Sequence, residues 1–280
     1  MHARTMLGLA LGIVSAAEAQ TMRTTTIERQ ARGETRLLAR LAYSAGSLRV
    51  LPAGSGTLYR MTLAYDADRF TPVSVYDAGR GEVTLGVRSR GGSGFRTVAR
   101  DQLRQGATIA LSPDVTLRLD ATLGAAESEL ELGGLRLEGL AVRTGASRST
   151  IRFSVPSQIR CDTATFETGA AELAIVRLGN ASCAKVEIDG SVGKVDLDLG
   201  GNWQGNAEVD VRLTLGEVTL RIPSRLGVEL ALRRFLTDFE PDGLIRRGNS
   251  FVTPGYDAAT RKVLVRLSST LGGVSIVWTQ

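Results

Sequence analysis

The sequence contains a single histidine, His2. Beyond that position there is none to build a Ser-His-Asp or Cys-His nucleophile, and the commonest zinc ligand is missing. Aromatic residues make up 5% of the chain, so a core has to be assembled from Leu, Val, Ile and Ala. Lysine occurs only at Lys185, Lys194 and Lys262, which leaves almost all of the positive charge to arginine. With many Ala, Gly and Leu beside it, that skew reads as the codon usage of a GC-rich genome. No glycine-rich loop has the dinucleotide or P-loop spacing in a strand-to-helix setting. No apolar run reaches the ~20 residues a bilayer-spanning helix needs.

The N-terminus has the three parts of an export leader. Arg4 follows the free amine, an apolar run extends from Met6 to Ala17, and Ala17-Glu18-Ala19 supplies the small-x-small pattern before Gln20. Residues 1–19 therefore read as a signal peptide cut between Ala19 and Gln20. The mature chain has 280 − 19 = 261 residues and is expected to span no membrane. Gln20 is not a cysteine, so the usual bacterial lipid attachment is absent. The destination is the periplasm or the exterior of a bacterial cell. A net charge of +5 suggests nucleic acid at first sight, but the arginines are not clustered with aromatics on one element. The nearest approach, Arg88 to Arg104, reads as a solvated Gly-rich loop.

Apolar residues alternate with others along much of the chain. Val115, Leu117, Leu119 and Ala121 do so, as do Ile151, Phe153 and Val155; Val195, Leu197 and Leu199; Val209, Val211, Leu213 and Leu215; and Val218, Leu220 and Ile222. Period two places each set on one face of a strand. Arg225 to Leu236 is the least strand-like stretch and could form a short helix, although its VELAL core also alternates. A repeated unit overlies this pattern: a glycine, a small or polar pair, then an alternating strand. The glycines are Gly124, Gly145, Gly169, Gly193 and Gly216, spaced by 21, 24, 24 and 23 residues. A near-constant period of this size marks stacked repeats. The fold class is all-β, a β-solenoid with rungs of about 21–24 residues and its turn glycines along one edge, the alternative being a β-sandwich. Gly169 is expected at a corner that a Cβ would strain. Residues 20–105 form a smaller N-terminal β unit and residues 106–280 the solenoid, with the Gly-rich, charged segment 88–113 between them.

Few residues offer chemistry. Glu187, Asp189, Asp196 and Asp198 could bind Ca²⁺ or act as a carboxylate pair in sugar cleavage, but they also suit the solvated face of a rung, with Lys185, Lys194 and Arg212 at hand to neutralise them. Trp203, in the turn-rich GGNWQGN, is either a sugar-stacking platform or a packing cap. Arg233-Arg234-Phe235 and Arg246-Arg247 could form a basic rim. Cys161 and Cys183 are the only cysteines. Their separation is close to one rung, and each precedes a large apolar residue, Phe166 or Ile188, by five positions. They are expected at equivalent places on adjacent rungs, within disulfide range.

Two stretches resemble a known group. ARLAYSAGSLRVLPAG with LYRMTLAYDADRFTPVSVYD, and VTLRLDATLGAAESELELGGLRLEGLAVRTGAS with IPSRLGVEL and the closing GNSFVTPGYDAATRKVLVRLSSTLGGVSIVW, are similar to the bacterial toast-rack family (DUF2154-like). The C-terminal part resembles LiaF-type cell-wall-active antibiotic response proteins. The resemblance implies a stacked β architecture at the cell envelope, the toast-rack stack. It supplies no catalytic residue, no cofactor and no metal ligand. LiaF-type members carry transmembrane helices and restrain a membrane histidine kinase, whereas this chain carries no such helices. The reading is a non-catalytic exported protein, a binding or regulatory module in cell-envelope response, whose partner is an envelope protein or cell-wall polymer and not nucleic acid. A carbohydrate-active β-helix enzyme and a structural or adhesin-like surface protein are the alternatives. N-terminal sequencing of the exported protein is expected to begin at Gln20; a retained Met1 would refute the leader.

Overall fold

The computed structural model describes residues 21–90 and 105–280. The proposed cut between Ala19 and Gln20, and most of the Arg88–Arg104 segment, lie outside them. The described strands are β1 (Met22–Gln30), β2 (Arg36–Pro52), β3 (Thr57–Asp66), β4 (Phe70–Asp77), β5 (Glu82–Ser89), β6 (Gly106–Leu111), β7 (Thr116–Glu131) and β8 (Arg136–Thr144). They continue with β9 (Arg148–Arg152), β10 (Thr163–Val176), β11 (Lys185–Asp198), β12 (Ala207–Pro223), β13 (Gly227–Phe239), β14 (Ile245–Arg247), β15 (Ser250–Val252) and β16 (Lys262–Thr279). No helix among the described residues is long and apolar enough to cross a membrane.

Successive rungs pair parallel and in register, which is the stacked arrangement and not that of a sandwich of antiparallel hairpins. β7 pairs with β8 and β9, these with β10, then β10 with β11 and β11 with β12. Each long strand bends once, so a rung has two arms, and a return segment closes it. In-register pairing sets like on like. In the first arm Leu41, Ala121, Val142, Phe166, Ile188, Val211 and Leu267 form one ladder inside the stack. In the second, Val50, Leu130, Ile151, Ile175, Leu197 and Leu220 form another. Every one of these side chains is at most 2% exposed, and burying each stabilises the fold by roughly 1.5–3 kcal/mol for the larger ones.

The segment 225–236 is not helical: from Gly227 onward it belongs to β13, paired with β16. Its alternation prevails over its helix-forming composition because β16 offers a complete strand edge. Strand order departs from chain order at both ends. β16 lies between β12 and β13, and β6 lies between β3 and β2. β2 pairs with β5 along its first arm and β6 along its second, and its whole length lies against β7. Hydrogen bonding thus runs from residues before 105 into residues after it without a break.

Return segments are stitched by buried polar groups. Asn180, 1% exposed, donates from Nδ2 to the Phe153 carbonyl at 2.7 Å and accepts from the Asn202 N–H at 2.8 Å, joining three rungs. Such a group is costly to bury unless satisfied. Cys161 and Cys183 form a disulfide across adjacent returns, with Cα atoms 4.1 Å apart. The Ala184 N–H donates to the Cys161 carbonyl beside it.

The turn glycines lie at one corner but in two columns. Gly124, Gly145 and Gly169 stack on one another, whereas Gly193, Gly216 and Gly272 stack two residues further along. The second column is left-handed throughout, with φ of +144°, +142° and +138°, and a Cβ on Gly216 would lie 1.8 Å from the Gly193 carbonyl oxygen, whereas in the first column only Gly124 meets a clash of that kind. Gly169 is not left-handed, and a Cβ on it would meet the Gly145 carbonyl at 3.3 Å, so the strain expected there belongs to the neighbouring column. Gly216→Ala should cost about 1–3 kcal/mol and Gly169→Ala less than ~1 kcal/mol, measured by urea unfolding; equal costs would refute the assignment. Replacing both cysteines with Ala should lower stability by about 3 kcal/mol for a loop of this size. Intact mass of the non-reduced protein, two hydrogens below the reduced form, checks the bond.

Candidate interaction surface

At the corner each bent strand must turn two consecutive residues outward, because the inward parity of its first arm differs from that of its second. In β12, Val211 and Leu213 point inward before the corner and Val218 and Leu220 after it, with Thr214 and Leu215 exposed between. In spatial order the outward pairs are Ser44-Ala45, Gly124-Ala125, Gly145-Ala146, Gly169-Ala170, Ser191-Val192, Thr214-Leu215, Thr270-Leu271 and Phe235-Leu236. Registration is direct: Ala45 pairs with Ala125, Ala170 with Val192, Val192 with Leu215, Leu215 with Leu271, and Leu271 with Leu236. Side-chain size therefore grows along the stack. At the small end a groove of about 500 Å³ opens over Ala125, Ala170, Ala171 and Gly193. At the large end Val192, Leu215, Leu271 and Leu236 form an aliphatic row, 45%, 41%, 45% and 64% exposed, and Phe235 is 78% exposed.

A charged ladder flanks the strip. Glu127, Arg148, Glu172, Lys194 and Glu217 stack in register. Arg148 Nε donates to Glu172 at 2.8 Å, and Lys194 lies 3.9 Å from Glu217. The hydrogen bond from Arg148, then its charge, holds the Glu172 carboxyl below its ordinary value. On the first arm Arg266 does the same to Glu208. These groups are solvent-exposed, so each pair contributes little to stability. Their role is to keep like charges from stacking.

Carboxylates singled out in the sequence are placed by the same rule. Glu187, Asp189, Asp196 and Asp198 all belong to β11, the first two on one arm and the last two on the other. Lys185 pairs with Glu187, Arg212 Nη1 donates to Asp189 at 3.0 and 3.2 Å, and Arg221 grips Asp196 with two bonds of 2.8 Å. Asp198 accepts from the Arg177 and Gly200 N–H groups. Among the described residues no cluster of His, Cys, Asp or Glu could hold a metal ion. Trp203 is 4% exposed; its indole N–H donates to the Leu199 carbonyl at 2.8 Å, and the ring packs on Gly179. It is a packing cap and offers no face to a sugar. Tyr43 is buried, which pushes its phenol well above the ordinary range. Arg233 and Arg234 are exposed on β13, whereas Arg247 bonds Asp257 at 2.9 Å on the separate β14–β15 hairpin.

The aliphatic row was missed in the sequence, though a signal was present: Val192, Leu215 and Leu271 each directly precede a left-handed glycine.

No curated protein matches the chain in sequence. Among solved structures, a candidate cell adhesion protein from Clostridium sporogenes is 17% identical with a TM-score of 0.49, over 92% of this chain and 100% of that one. A candidate adhesin from Bacteroides fragilis is 12% identical with a TM-score of 0.42, over 91% and 97%. A candidate lipid binding protein from Parabacteroides distasonis is 9% identical with a TM-score of 0.33, over 92% and 97%. At these values the likeness carries no functional argument. Residues 16–176 match the family described as the N-terminal domain of toast_rack, DUF2154, a span that runs from ahead of β1 to the end of β10. With more than half its length so matched, and its rungs stacked in register through that span and beyond it, the chain belongs to the toast-rack family.

Proposed function

We propose that this chain is an exported, non-catalytic protein of the bacterial cell envelope that binds another envelope protein through its corner strip, as a module of envelope response. The observation that carries the reading is the aliphatic row Val192, Leu215, Leu271 and Leu236, registered rung on rung and left bare. A contiguous exposed apolar strip rimmed by charge marks a contact surface. A protein partner suits it better than a polysaccharide, since the strip consists of branched aliphatics and carries no tryptophan. The disulfide favours an oxidising compartment, in keeping with the leader. The carbohydrate-active alternative has less support: it needs paired carboxylates facing a substrate, and Glu187, Asp189 and Asp196 are each engaged by a cation.

Crosslinking in intact envelopes tests the proposal. The wild-type chain is expected to crosslink to an envelope protein, and Leu215→Glu with Leu271→Glu should lower the yield by about tenfold while leaving the melting temperature unchanged. Release of soluble fragments from cell-wall polymer by the purified chain would overturn it, as would a yield indifferent to the substitutions.

A further inference from the structure

β13 ends the stack. β16 pairs along one of its edges from Gly227 to Phe239, while the opposite edge meets β15 at Glu229 and Leu230 and the segment after β15 at Val228 and Glu229. From Ala231 to Phe239 no strand among the described residues lies beyond it. An edge with unused N–H and C=O groups is a template for another strand, and proteins usually guard it with charge, proline or shortness. The other outer strands are guarded in that way. β1 reads MRTTTIERQ, β4 carries Pro72, and β14 is three residues long with two arginines. β13 instead presents Phe235 and Leu236, 78% and 64% exposed.

We infer that this edge pairs with the same edge of a second copy of the chain, antiparallel, about a two-fold axis between Phe235 and Leu236. The segment from Leu232 to Phe239, LRRFLTDF, is complementary to itself in that register. Arg233 stands opposite the partner's Asp238, Phe235 opposite the partner's Leu236, and Leu232 opposite the partner's Phe239. Residues directly opposed in an antiparallel pair share a face, and here they match. Leu232 and Phe239 pack toward the core, whereas Arg233, Phe235, Leu236 and Asp238 are exposed. Arg234 is exposed, but its guanidinium lies 5.9 Å from the Phe239 ring, so it shares the face of Phe239, and it falls opposite the partner's Thr237, which is buried on that face. The match exists because the corner reverses parity between Phe235 and Leu236, which makes the in-and-out pattern palindromic about that point. A slip of one residue would oppose inward with outward side chains. β15 does not obstruct the pairing, which stops at Leu232, short of the two residues that β15 covers. Charge complementarity at both ends of the segment selects a second copy over the strand of another protein.

Sedimentation velocity of the full mature chain over a range of concentrations tests this. Wild type is expected to dimerise. Arg233→Asp and Asp238→Arg should each weaken the dimer at least about tenfold by opposing like charges. An equimolar mixture of the two variants should restore it, because the mixed dimer opposes unlike charges at both ends. Far-UV circular dichroism spectra matching wild type show that each variant is folded. A wild type that stays monomeric, single variants that dimerise like wild type, or a mixture that fails to recover would each overturn the inference.

Discussion

In-register parallel pairing places every residue about 4.8 Å above its equivalent on the next rung, and most of the molecule follows from that repetition. Inside, it lets branched aliphatics meet their own kind, so a core with few aromatics still closes. At the corner it aligns the outward pairs into one continuous strip, because no rung can bend at a place its neighbour does not. The strip changes character along its length only because the side chains at that one position grow from Ala45 and Ala125 to Leu271 and Leu236.

The same repetition governs charge. A column of identical ions at this spacing would repel along the whole stack. The chain alternates sign from rung to rung instead, as from Glu127 to Glu217, or brings in a neighbour from the side, as Arg221 does for Asp196. This use of arginine explains why a positive net charge does not point to an anionic ligand. The guanidinium groups of Arg148, Arg212, Arg221 and Arg266 are occupied between rungs.

Alternation and the glycine period were legible in the sequence because both are local. The frame of the corner was not. Thr122-Leu123-Gly124 and Thr214-Leu215-Gly216 are the same tripeptide, yet Leu123 is buried at 1% and Leu215 is 41% exposed. The first glycine is itself one of the outward pair, and the second follows that pair. Whether a rung places glycine at or after the bend is decided by contact with the rung beneath it, since a Cβ on Gly124 would lie 2.2 Å from the Ser44 carbonyl oxygen. Helix-compatible composition misled the reading of Arg225 to Leu236 for a related reason: the edge that makes it a strand comes from residues 262–279. Trp203 and the β11 carboxylates were readable as packing and as solvated charge, because each bland role needs only neighbours that the repeat itself supplies.

The position of β16 bears on the order of assembly. β13 leaves the ribosome before β16 does, yet its final partner is β16, and β16 also fills the edge of β12. During that interval β12 has an open edge, and β13 carries an alternation that fits it: Leu230 could stand where Val265 belongs and Leu232 where Leu267 belongs. The edge of β12 and a strand whose alternation matches it thus both precede in the chain the strand that finally lies between them. Wedging β16 between two earlier strands makes closure of this end of the stack depend on contacts 35 and 56 residues apart in the chain, which can form only after the intervening loops are closed.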